Sequence, residues 1–188
     1  MPYIQETEAH KLVGRISLRG EGADIIFTKG RSISGIDAAE LLVELENQLS
    51  QYNDGRLPDY FEIDATPIVS KAFVESIKNS LNAACQIFPV SLKFQDLMIS
   101  DYFVINVLNK VSCINVKASE CSMYKTRIMR LHRLKLMEGY EPPLPIYRAK
   151  EFPLAIMVEK LIVSKLRCSG LTGFQLTRAE GWGDSHRF

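Results

Sequence analysis

Between Tyr102 and Ser119 the chain runs YFVINVLNKVSCINVKAS, its densest concentration of β-branched, aromatic and aliphatic residues. Residues of that kind fit a pleated, half-buried surface, so the stretch predicts the central strand and following turn of an antiparallel sheet. Phe88 to Phe94, FPVSLKF, alternates apolar and polar positions, as a strand with one face in a core does. Before it, Ser70 suits a helix N-cap, and Phe73, Val74, Ile77, Leu81 and Ala84 recur at helical spacing, predicting an amphipathic helix that ends near Cys85. The same order returns after Ile156, where a helix to about Cys168 stops at Gly170 and Leu171–Leu176 reads as a strand. The pattern suggests an internal helix-strand duplication, with two similar helices packed on one sheet.

The first third of the chain is less regular. Leu12 to Leu18 and Ile25 to Phe27 read as the strands of a short hairpin, turned at Arg19-Gly20-Glu21-Gly22. Ala38, Leu41, Leu42, Leu45, Leu49 and Tyr52 then share one helical face, Asp37 and Glu40 have capping-box spacing, and a helix over residues 37–52 follows. Residues 56–68 carry prolines and read as an extended connector. The expected fold is therefore α+β, a mostly antiparallel sheet with amphipathic helices packed on it. Residues 1–54 form an N-terminal hairpin and helix laid on a main domain of residues 55–188.

Charge changes this picture only locally. Lysine and arginine number 23 against 22 acidic residues, and a net charge of +1 gives no global field to attract nucleic acid or an anionic membrane. Two local surfaces stand out as candidates for binding another protein. One is the acidic face around Glu40 and Glu44; the other is the cationic series Lys125, Arg127, Arg130, His132, Arg133 and Lys135. The leucines within 123–137 are too irregularly spaced for a simple strand unless a bulge near Arg133 resets the alternation, and lysines and arginines on a strand edge also serve to prevent aggregation. Cys85, Cys113, Cys121 and Cys168 lack any C-x-x-C spacing and read as reduced thiols. With no apolar leader and no run of apolar residues long enough to span a bilayer, the expected location is the cytoplasm; self-association stays open.

Chemistry-bearing patterns are sparse. His10, His132 and His186 are widely separated and lack helical i, i+4 partners, so no metal is expected. The glycines of GRISLRGEG make no phosphate-binding fingerprint, and no cofactor is expected. Ser70 reads as a cap rather than a nucleophile, and Glu62 with Asp64 as exposed residues of the connector. Composition and spacing give an α+β domain in which no catalytic constellation stands out, and they do not by themselves say what it does.

The order of segments adds a resemblance. Gly55-Arg56-Leu57-Pro58-Asp59, Ile68-Val69-Ser70-Lys71 with Phe73, Phe88-Pro89-Val90, Tyr102-Phe103-Val104 and Asn106-Val107 succeed one another. They are followed by Val111-Ser112-Cys113-Ile114-Asn115, Ile146-Tyr147-Arg148, Val158-Glu159-Lys160-Leu161 and Gly170-Leu171-Thr172-Gly173. Over roughly residues 55–178 this series resembles the eleventh type of bacterial polymorphic-toxin immunity protein, first catalogued as a domain of unknown function. Ser112 and Asn115 stand where that pattern has aspartates, and Val158 where it has serine. The resemblance implies a non-catalytic antitoxin whose partner is a cognate toxin acting in the cytoplasm. An adaptor module and a small hydrolase are the alternatives.

Overall fold

The computed structural model describes residues 1–7, 14–18, 27–35, 41–46, 57–81 and 84–183. It is a mixed α and β fold in which sheet predominates and most strand pairs are antiparallel. The strands are β1 (Tyr3–Thr7), β2 (Gly14–Leu18), β3 (Leu41–Leu45), β4 (Tyr60–Ile63), β5 (Thr66–Ser70), β6 (Cys85–Phe94) and β7 (Leu97–Val107). They continue as β8 (Lys110–Val111), β9 (Glu120–Tyr124), β10 (Arg127–Arg133), β11 (Ile146–Ala149), β12 (Ile156–Val158) and β13 (Phe174–Arg178). The helices are α1 (Lys71–Leu81) and α2 (Lys160–Arg167).

Two sheets organise the molecule. The first has the order β2-β3-β6-β7-β5-β4, and the second β13-β1-β12-β11-β8. In the first, β2 and β4 stand at opposite ends of the order and yet approach one another, so the sheet curls around its own interior. Ile16, Leu41, Val43, Phe61, Ile68, Leu92 and Val104 fill that interior. The N-terminal strand β1 lies inside the second sheet, between β13 and β12.

Period-two alternation then decides which core each side chain enters. Ile68 and Val104 face the curled interior, while their neighbours Val69 and Ile105 face the layer between the sheets. Ile146 and Ile156 enter that same layer from the second sheet, and Tyr147 and Met157 enter a third core on its outer side. Phe73, Ile77 and Leu81 of α1 meet Ile162, Val163 and Leu166 of α2 in the middle layer. Each of these buried side chains contributes about 1.5–3 kcal/mol, which helices this short need, because they are marginal in isolation. Each helix also bridges two strands that run parallel with one antiparallel strand between them: β5 and β6 around β7, β12 and β13 around β1. The helices thus sit between two sheets, not side by side on one.

One carboxylate ties the starts and stops of these elements together. Ser70 caps α1, its Oγ accepting the Phe73 N–H at 3.2 Å, and donates to Asp59 Oδ1 at 2.7 Å. Asp59 Oδ2 accepts the N–H of Thr172 at 3.0 Å, just beyond α2. Gly173 follows, with φ +91° and its Cα so close to the chain that a Cβ would lie 2.2 Å from the Tyr60 carbonyl oxygen.

Several expectations are corrected. Within the helix predicted over 37–52, residues Leu41–Leu45 form strand β3, hydrogen-bonded to β2 on one side and β6 on the other. Leu-Leu-Val-Glu-Leu satisfies both periods, and the strand pairing on two sides overrides local helix propensity. Residues 37–40 and 47–52 lie outside the described residues. The partner of β2 is β3 rather than a strand at 25–27; Phe27 opens a single 3-10 turn, and Arg19 to Ile26 are not among the described residues. The supposed connector contains the β4–β5 hairpin, closed by Asp64 and Ala65 at φ +50° and +56°. Those are the left-handed values a two-residue primed turn demands, and the usual Asn-Gly or Asp-Gly signal for it is absent. Finally, the central strand spans Leu97–Val107, and the chain beyond it crosses to the second sheet through β8.

Candidate protein-docking surface

The cationic series lies on a separate two-stranded ribbon, β9 paired with β10, that covers the outer core of the second sheet. The ribbon turns at Lys125 and Thr126, with Lys125 at φ +54° and its ammonium 5.6 Å from the centre of the Tyr124 ring. Register shifts occur between Ile128 and Arg130 and again between Leu131 and Arg133. Each inserts one extra residue, Met129 and His132, so that inward-facing positions recur every third residue instead of every second. Ile128, Leu131 and Leu134 are consequently buried against the second sheet, and Arg127, Met129, Arg130, His132 and Arg133 are exposed.

Two bulges thus answer the irregular leucine spacing where the sequence suggested one near Arg133. Their effect on the surface is to crowd cations and polarizable side chains together. Met123, Tyr124 and Met129 are 44%, 64% and 59% exposed. Between Ser119 and Met137 the chain carries Lys125, Arg127, Arg130, Arg133 and Lys135 against a single acid, Glu120. Glu120 pairs with Arg133 at 3.7 Å, both well exposed, a contact of little energetic weight. Lys135 donates to Glu180 at 2.8 Å. The same carboxylate accepts the Leu136 N–H at 2.9 Å, and that backbone bond first, then the lysine, hold Glu180 below the usual carboxylate range.

The candidate residues therefore separate. Arg130, His132 and Arg133 share the ribbon, and Lys135 follows in the segment that leaves it. Glu44 stands on β3 in the other sheet, where its carboxylate accepts from Lys93 at 3.0 Å across the β3–β6 pair. Glu40 lies outside the described residues. Met123, Tyr124 and Met129 are the surface residues that sequence reasoning missed; their only signal was apolar character inside a cationic run.

The ribbon also brings together a pair that the linear sequence conceals. Ser122 Oγ and His132 Nε2 are 2.9 Å apart. They are exposed and joined across the two strands. Elsewhere Ser70 is committed as a cap, and Glu62 accepts the Tyr60 hydroxyl. The cysteines are free thiols, with burial pushing Cys85 and Cys113 up to about 12, far from a reactive thiolate at neutral pH. No cluster of three or more metal-ligating side chains occurs among the described residues, and no described helix is long and apolar enough to cross a membrane. Trp182 packs into the outer core 6.5 Å from Phe152.

No family model matches the chain, and no curated protein matches its sequence.

Proposed function

We propose that this chain is an immunity protein, a non-catalytic cytoplasmic antitoxin that lays its β9–β10 ribbon on an acidic surface of a cognate toxin. The observation that carries this reading is the composition of the ribbon's exposed side: arginines and lysines interleaved with Met123, Tyr124 and Met129. Arginine, tyrosine and methionine are enriched where protein interfaces have their energetic centres, because they bury large area while keeping a polar or polarizable tip. Cations around such anchors speed encounter with an acidic partner and exclude a basic one. The resemblance over residues 55–178 supplies the class of partner. A stable complex would bury an interface of about 1,600 Å², more than the ribbon alone offers, so flanking segments join it.

The test is co-expression with a candidate toxin sought in the neighbouring genes. Restored growth of the toxin-producing cells is the expected result, and undiminished killing contradicts it. The Ser122–His132 pair favours a second reading, a small hydrolase. A serine-directed fluorophosphonate probe separates the two: labelling that disappears in Ser122→Ala would support the hydrolase, whereas an unlabelled chain that still rescues growth supports the antitoxin.

A further inference from the structure

Arg167 and Arg178 line one basin beside Tyr3 from two different elements. Arg167, in the last turn of α2, places its guanidinium 5.4 Å from the centre of the Tyr3 ring. It also donates one N–H to the Leu176 carbonyl at 3.4 Å. Arg178 ends β13 and is the registered neighbour of Tyr3 across the β1–β13 pair, so the two side chains leave the same face of the sheet. Around them is an open basin of about 490 Å³, whose wall also includes Gln175, Glu180 and Trp182. That volume falls in the range of small-molecule sites.

The charge in this basin is unbalanced. Its one lining acid, Glu180, is already engaged by Lys135 and the Leu136 N–H. No carboxylate among the described residues pairs with Arg167 or Arg178. An anion entering the basin would meet two arginines that no described carboxylate neutralises. A guanidinium fork matches the two oxygens of a carboxylate or phosphate, and stacking on Tyr3 keeps the Arg167 fork in place before anything binds.

We propose that the basin between α2 and β13 binds a compact dianion, a phosphate or dicarboxylate group, gripped by Arg167 and Arg178. The group arrives either on a free small molecule or on a side chain of a bound protein. Titration calorimetry on the full chain distinguishes these sources, with inorganic phosphate and succinate as the free probes and a phosphoserine peptide as the protein-borne one. Saturable binding of at least one probe is expected, weakened about tenfold or more in Arg167→Ala and in Arg178→Ala, as loss of charged hydrogen bonds implies. Lys29→Ala, at an exposed cation in the turn at Phe27–Lys29 outside both the basin and the ribbon, should leave it unchanged. Arg178→Lys retains charge without the fork and should bind with intermediate affinity; it also covers the case in which an alanine variant fails to fold. Binding of the peptide alone places the anion on a protein partner. Absence of binding by all three probes, or binding indifferent to both arginines, overturns the proposal.

Discussion

Gly170 and Gly173 stand three residues apart in sequence and differ in role, and they give the sharpest contrast at the scale of single residues. Both have positive φ, +69° and +91°. At Gly170 a Cβ meets nothing within 4 Å, whereas at Gly173 it would lie 2.2 Å from a backbone oxygen and 2.5 Å from Pro58 Cβ. Gly170→Ala should therefore cost only about 1 kcal/mol of left-handed strain, and Gly173→Ala more than about 3 kcal/mol, because backbone must move to admit it. Urea denaturation of the two variants measures the difference. At this scale the sequence was most legible where a residue answers to its own neighbours: Ser70 as a cap and Gly170 as a helix stop needed only local rules. The tie from Ser70 through Asp59 to Thr172 needed the fold, since Asp59 and Thr172 are 113 residues apart.

Among the elements, the ribbon and β3 show why periodicity sometimes misleads. In β10 the two bulges convert a strand's period of two into a spacing of three, so neither template fits the sequence. In β3 the leucine-rich run fits both templates, and partners far along the chain choose between them. Strand β6 was readable because one buried face imposes alternation on FPVSLKF, and β7 because YFVINV, buried on both faces, is a continuous run rich in β-branched and aromatic residues. The primed turn at Asp64-Ala65 was not, because it uses neither asparagine nor glycine. The bulge account makes a specific prediction. Met129→Ala, at a side chain that is 59% exposed, should change the melting temperature little, whereas deletion of Met129 removes the extra residue and turns Ile128 or Leu131 out of the core. The deletion should destabilise by the loss of a buried aliphatic side chain, about 2–5 kcal/mol; equal melting temperatures for the two variants would refute the bulge's role.

For the whole molecule, the joint between the two sheets matters most. Arg148, on β11, is fully buried and donates to the Ala65 carbonyl in the β4–β5 turn at 3.0 Å and to Pro153 at 2.8 Å. Burial lowers its affinity for the proton, and the nearby Tyr60, Glu62 and Cys85 act in the opposite direction. A lysine has no planar fork to reach both carbonyls, so Arg148→Lys should cost about 1.5–3 kcal/mol in denaturant unfolding, the worth of one charged hydrogen bond. One partner of Arg148 lies in the other sheet and the second in the loop after β11, so nothing within Ile146–Ala149 itself signals the joint. The same joint holds the second sheet, and with it the ribbon, in a fixed relation to the curled one. What the ribbon does there is the central claim, and association kinetics with the cognate toxin test it most directly. Arg127→Glu with Arg130→Glu reverses the exposed charge while sparing the Glu120–Arg133 pair. The expected result is association slowed about tenfold or more, with the salt dependence of the unmodified chain largely lost. Association at an unchanged rate with an unchanged salt dependence would contradict the assignment of the ribbon as the docking surface.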